Sequence, residues 1–128
     1  MNTKKIFNML WHNSYYDGPL SGVAQRIVDG RYVWFDCTFL DGQQYDDRRY
    51  RVYLLTEAQY QQLSENHKVF QKCVGYNCDY GEMYQPFTMK DKVLFDWYYK
   101  TRDDRPHPEI SDDQLIGIFG ESLFNRDK

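Results

Sequence analysis

A chain of 128 residues has the length of one domain with a core of its own. Hydrophobic residues make up 41% and aromatics 18%, twelve of them tyrosine, which excludes a disordered chain. The formal net charge of −3 argues against a protein held on nucleic acid by counterion release, which needs a clustered basic surface.

Three cysteines at irregular spacing suit a reducing compartment better than a disulfide framework. The apolar run Ile6–Trp11 is short, is broken by Asn8 and leads to no small-residue cleavage site, unlike a signal peptide. Nothing approaches the roughly 20 apolar residues of a membrane-spanning helix. A soluble cytoplasmic protein is expected. The tyrosines suit either a core built from amphipathic side chains or a recognition surface.

In chain order, residues 4–11 suit a short helix or a strand. Asp17-Gly18-Pro19 is a turn by composition, since Asp bonds its own backbone, Gly permits positive φ and Pro fixes φ. Gly22 closes that loop and leaves Ser21 inside it. Val23 to Leu40 reads as a β-hairpin about a two-residue Asp29-Gly30 turn. Val28 would then pair with Arg31, Ile27 with Tyr32, Gln25 with Trp34, and Val23 with Asp36. Alternation sends Ala24, Val28, Val33, Phe35, Cys37 and Phe39 to the core. The other face carries Gln25, Tyr32, Trp34, Asp36 and Thr38, with Val23 and Ile27 beside them.

After a polar loop at Asp41–Asp47, Arg48–Leu55 reads as a third strand. Tyr50, Val52 and Leu54 would join the core, and Arg49, Arg51 and Tyr53 the Trp34/Asp36 face; a one-residue slip would exchange the two sets. Thr56 and Gln59 form a capping box that opens a helix. Tyr60, Leu63, His67, Phe70 and Val74 form its apolar stripe, and Gly75 stops it. Tyr76–Phe87 is irregular. A second helix is expected over Met89–Thr101, with Val93, Leu94, Trp97 and Tyr98 inward. Asp103–Glu109, with two prolines, is a loop. Ser111 and Gln114 repeat the capping-box spacing, so a third helix is expected to about Phe124, weakened by Gly117 and Gly120. The expected fold is α+β over residues 1–128: a small antiparallel sheet of three to four strands in the N-terminal half, packed against two to three helices.

Recognisable catalytic signatures are absent. His67 lies on the apolar stripe, where a histidine usually has a satisfied ring nitrogen. Cys73 and Cys78 with His67 lack a fourth zinc ligand, and structural zinc sites favour tighter cysteine pairs. No metal or cofactor is expected. Ser21 lies outside any Gly-x-Ser-x-Gly pattern. There is no glycine-rich phosphate loop, HExxH or calcium loop. The paired acids Asp46-Asp47 and Asp103-Asp104 suit solvated loops, and Asp112-Asp113 a helix start.

The Tyr32, Trp34, Asp36, Arg49, Arg51, Tyr53 face differs, because it draws on separate strands. Arginine recognises carboxylate or phosphate bidentately, and Trp or Tyr offers a flat platform. A structural reading serves equally: Asp36 pairs with Arg51 across strands and the aromatics lie beneath a helix.

YYDGPLSGVA, followed by Asp29-Gly30-Arg31 and then Leu55-Thr56, resembles a family of small uncharacterised bacterial proteins with a Tyr-Asp-Gly-Pro-x-Ser-Gly-(Val/Ile)-Ala motif. The likeness runs from Tyr16 to Thr56 and does not extend to Cys73–Lys128. It implies no activity. It implies that Tyr16, Asp17, Gly18, Pro19, Ser21 and Gly22 form a rigid loop beside the sheet, as a binding element or as a brace.

The expected function is a non-enzymatic binding protein that captures a protein partner or a small anionic ligand through Tyr16, Asp17, Ser21, Tyr32, Trp34, Asp36, Arg49, Arg51 and Tyr53. Size and acidic balance suit an inhibitor or accessory factor of a phage or mobile element. The rival is a small enzyme acting on a nucleotide or phosphoester, with Arg49 or Arg51 on phosphate and Asp36, His12 or His67 as acid or base. A single-stranded nucleic-acid binder with stacked aromatics is a third reading.

Overall fold

The computed structural model describes residues 4–15, 19–38, 48–73 and 89–125. Contacts divide the chain into two compact units, residues 1–56 with 110–128, and residues 57–109. The first is a six-stranded sheet: β1 (Phe7–Tyr15), β2 (Pro19–Arg26), β3 (Tyr32–Thr38), β4 (Arg49–Leu54), β5 (Leu115–Gly120) and β6 (Phe124–Asn125). The spatial order is β5-β4-β3-β2-β1-β6; β6 runs parallel to β1, and the other neighbours are antiparallel.

This corrects the expected sheet of three to four antiparallel strands. The ambiguous segment 4–11 becomes β1, in which Phe7 and Met9 are buried while Asn8 and Leu10 are exposed, the period of a strand. The expected third helix is a strand as well. Its capping box exists: Asp113 N–H donates to Ser111 Oγ (3.2 Å) and Ser111 N–H to Gln114 Oε1 (2.9 Å). It caps only the 3-10 turn Asp112–Gln114, and the Gln114 amide then donates to Leu54 O on β4 at 2.7 Å. Beyond it, Leu-Ile-Gly-Ile-Phe-Gly combines β-branched residues with two glycines, poor helix material that pairs with β4 instead. Two α-helices remain among the described residues.

The strand order dictates the curl of the sheet. In a flat sheet β5 and β6 would lie five spacings, about 24 Å, apart. Only Glu121–Leu123, a 3-10 turn, separates Gly120 from Phe124, and four Cα steps reach about 15 Å at most. The sheet therefore rolls into a partly closed barrel. Ile6 N–H donates to Leu123 O (2.8 Å), Lys5 Nζ to Ser122 O (2.8 Å) and Asn125 Nδ2 to Asn8 Oδ1 (2.6 Å) along that seam. Inside, Phe7, Val33, Phe35, Tyr50 and Val52 are wholly buried with Phe124. Phe7 stacks on Phe124 at 4.8 Å and meets Phe119 of β5 edge-on at 5.1 Å.

The β2–β3 hairpin keeps the expected faces but not the expected turn. Gln25 pairs with Tyr32, Val23 with Trp34 and Ser21 with Asp36, two residues away from the two-residue-turn register. The loop has four residues, Ile27 to Gly30, closed by Arg26 N–H to Arg31 O (2.7 Å) and Gly30 N–H to Arg26 O (2.8 Å). Gly30 there has positive φ (72°). Asp29 points back, accepting from Arg26 Nε (3.1 Å), Arg26 Nη2 (2.6 Å) and the Arg31 N–H (3.1 Å). Val28, expected in the core, is 84% exposed in this loop, and Ile27 is exposed beside it. Gly22, expected to close a loop, lies within β2. An added Cβ there would strike Trp11 O, with His12 Cα at 2.7 Å and Phe35 Cζ at 2.8 Å.

The second unit holds α1 (Glu57–Cys73) and α2 (Met89–Thr101). Leu63, Phe70 and Cys73 are the buried members of the α1 stripe, and Phe70 meets Tyr98 of α2 edge-on at 5.5 Å. Gln59 Nε2 donates to Glu109 O (2.7 Å) and Asn66 Nδ2 to Pro106 O (2.8 Å), tying the following loop to α1. Arg105 lies over the Tyr98 ring at 4.3 Å and donates to Tyr98 O and Thr101 Oγ1. Val93 and Trp97, expected inward, are 64% and 49% exposed, while Leu94 and Tyr98 are half-buried. No helix among the described residues is long and apolar enough to cross a membrane.

Candidate functional site

Side chains directly opposite one another on paired strands share a face, so the register assembles the outer surface of the sheet in rows. One row runs Trp11–Val23–Trp34–Tyr53–Leu115, and the next Ser21–Asp36–Arg51–Ile118. Arg49 follows between Thr38 and Gly120, and Gln25 with Tyr32 lies at the hairpin end. Six of the expected site residues on β3 and β4 are thus brought together: Tyr32, Trp34, Asp36, Arg49, Arg51 and Tyr53. Ser21 joins them from within β2 rather than from a loop. Tyr16 and Asp17 lie outside the described residues, as do Gly18, Phe39, the 41–47 loop, Cys78 and the 76–87 segment.

Exposure is graded across the face. Val23 and Thr38 are buried on it, and Tyr32, Trp34 and Tyr53 are half-buried. Asp36, Arg49 and Arg51 are exposed, and so are Leu115 and Ile118 on β5, at 41% and 46%. The face opens toward β4 and β5. The two apolar β5 residues went unrecognised in the sequence because that segment reads as helix; they share a face only through the bulge opposite Val52/Tyr53, which pairing with β4 sets and no local period reveals.

Electrostatics single out Asp36. Crowding by neighbouring protein raises its pKa above the ordinary carboxylate value, and the Arg51 charge opposite lowers it without cancelling that effect. A carboxyl held at a disadvantage for ionisation on an exposed face is a feature of binding and catalytic surfaces.

A second polar cluster lies on the inner face at the β4 end. Arg48 is 1% exposed, Tyr50 donates its hydroxyl to Glu121 Oε2 (3.5 Å), and the Glu121 N–H donates to Arg48 O (2.9 Å). Arg48 also hydrogen-bonds Tyr50, whose hydroxyl burial raises well above its usual pKa. The Cys37 thiol is pushed up by burial too, which makes it a poor nucleophile. This cluster fastens β4 to the closing turn. Alternation from Tyr50 and Val52 puts Arg48 on the core face and could have revealed it.

The expected acid–base histidines are distributed differently. His12 lies on β1 opposite Gly22, and His67 is half-buried on α1, ring-stacked with Phe70 at 6.1 Å. Among the described residues no group of three or more His, Cys, Asp or Glu is arranged to hold a metal ion. The resemblance carried by the Tyr-Asp-Gly-Pro motif rests on its residues alone. No protein-family model matches the chain, and no curated protein or solved structure does either.

Proposed function

We propose that this is a non-enzymatic binding protein that captures a protein partner through the outer face of β3, β4 and β5. The carrying observation is the pair of adjacent rows Trp34–Tyr53–Leu115 and Asp36–Arg51–Ile118, which set aromatic, charged and apolar side chains side by side. A mosaic with both charge signs and exposed Leu and Ile suits a protein surface. It suits a small anionic ligand less well, because the Asp36 carboxylate faces Arg51 and repels a phosphate placed there. Small size and acidic balance suit an inhibitor or accessory factor of a phage or mobile element, acting in the cytoplasm.

The test is native mass spectrometry of the protein purified gently from its host, repeated with Arg51→Glu. Arg51 is exposed, so the variant should melt with the parent and lose the retained partner. Retention by Arg51→Glu equal to the parent's would remove the face as the site.

One observation favours a second reading, an enzyme acting on a nucleotide or phosphoester. Asp36 has a raised pKa, Ser21 directly opposite it and Arg51 on its other flank. In this reading Asp36 is the acid or base and Arg51 binds phosphate. Phosphoester hydrolysis that Asp36→Asn abolishes would establish it; equal rates for parent and variant would dismiss it.

A further inference from the structure

The loop between β2 and β3 carries the most exposed large apolar side chain of the described residues, Val28, with Ile27 exposed beside it. The loop is fastened on several sides. Its Arg26 and Gly30 N–H groups close it, the Gln25 amide donates to Gly30 O (3.0 Å), and the Ile27 N–H donates to Ile6 O (2.8 Å) in the segment leading into β1. Asp29, its one acid, is turned back onto Arg26 and the Arg31 N–H. The two aliphatic side chains are therefore held out in advance, and contact costs little further ordering. The surroundings of this tip are cationic. The Ile27–Ile6 bond brings Lys4 and Lys5 alongside the loop, Arg31 follows it, and all three are exposed; Lys5 also donates to Ser122 O. With Arg26 and Asp29 cancelling each other, Lys4, Lys5 and Arg31 leave the tip positive in a chain of formal net charge −3. Within this unit, Asp112 and Asp113 lead into β5, two strand spacings or about 10 Å beyond β3. That is roughly the 8–10 Å over which exposed charges act in physiological salt.

We propose that this tip docks on an anionic lipid surface: Ile27 and Val28 enter the headgroup region, and Lys4, Lys5 and Arg31 meet the lipid phosphates. Charge complementarity selects an anionic surface. A bilayer rather than a protein pocket follows from the chemistry of the tip. Ile27-Val28-Asp29-Gly30 has no aromatic ring, and its carboxylate is engaged within the loop. It thus lacks the large aromatic or arginine anchor that dominates protein interfaces. A small apolar wedge with diffuse cations around it suits a fluid surface. The amides of Arg26, Ile27, Gly30 and Arg31 already have partners, so they bring no unsatisfied donor into the interface. Neither signal is large, so the association is weak, reversible and dependent on both. It does not rest on the binding role proposed above. Asp36 stands four residues along β3 from Tyr32, about 13 Å from the hairpin end, so a docked molecule keeps that face clear of the bilayer.

Co-sedimentation of the full chain with vesicles tests this, using phosphatidylcholine alone and phosphatidylcholine mixed equally with phosphatidylglycerol. Binding should be about tenfold tighter or more on the anionic vesicles and should fall as salt is raised. Val28→Asp, at an exposed position, should melt with the parent and bind about tenfold less. Lys4→Gln with Arg31→Gln keeps the apolar tip and should lose about fivefold for each charge removed. Hydrogen exchange needs no variant: the Val28 and Asp29 amides should slow on anionic vesicles while Ile118, on the outer face, stays unchanged. Equal binding to both vesicles, or binding undiminished by Val28→Asp, would overturn the proposal. So would no vesicle binding at all, and a protein ligand released by Val28→Asp in that case would give the tip to an apolar protein pocket instead.

Discussion

The two faces of β3 and β4 share one backbone and differ in every other respect. Inward, Val33, Phe35, Tyr50 and Val52 have no exposed surface; outward, Asp36, Arg49 and Arg51 are exposed and Trp34 and Tyr53 partly buried. Alternate residues thus differ in their surroundings, one set holding the barrel together and the other forming its outer surface, on which binding is proposed. The outer set includes a carboxyl, Asp36, whose pKa burial raises while the Arg51 charge opposite lowers it.

Substitutions can break or sharpen that division. The largest effect belongs to Phe35→Ala, which empties the centre of the ring cluster formed with Tyr50 and Phe124. A loss of about 3–5 kcal/mol in denaturant unfolding is expected. Gly22→Ala comes next at about 1–3 kcal/mol, because its Cβ would meet backbone of β1 as well as the Phe35 ring. Trp34→Ala should cost less than Phe35→Ala in the same measurement, since Trp34 is only partly buried whereas Phe35 is wholly so. Equal losses at Trp34 and Phe35 would mean that the outer face is a second core.

Two smaller effects depend on pH and have opposite signs. Asp36 has a folded pKa above its unfolded value, so its contribution favours folding at low pH and is lost as pH rises through the folded pKa. Asp36→Asn should therefore raise the melting temperature slightly at pH 7, with no gain in acid. Asp29 is the reverse, held at about 2 by the hydrogen-bonded Arg26 guanidinium, with the Arg31 N–H assisting. Its contribution is present above the unfolded value of 3.8 and is lost as pH falls through about 2. Because that carboxyl is in water, Asp29→Asn should give the smallest shift of the set, visible at neutral pH and gone in strong acid.

The face was legible in the sequence, and the barrel was not. Alternation over Tyr32–Asp36 and Arg49–Tyr53 sorted inner from outer residues correctly even though the turn was misread. The four-residue loop moves the β2 register by two, and only an odd slip exchanges faces. Periodicity likewise revealed α1 and α2. What escaped is everything that depends on partners far along the chain. The Ser111–Gln114 capping box is a local signal, accurate for one turn, and whether Leu115 continues as helix or strand is decided by β4. β6 has two residues, too few for any pattern, and exists because Phe124 fits between Phe7 and Tyr50.

Closure of the barrel also sets an order of events in time. Asn8 and Asn125, joined across the seam, stand 117 residues apart, with both helices between them. The entropy of closing so long a loop must be met before the rings of Phe7 and Phe124 return it. A nascent chain therefore carries the apolar side of β1 unshielded while the helices are being made. Of the two units, the sheet should be the slower to form, however stable it is once complete.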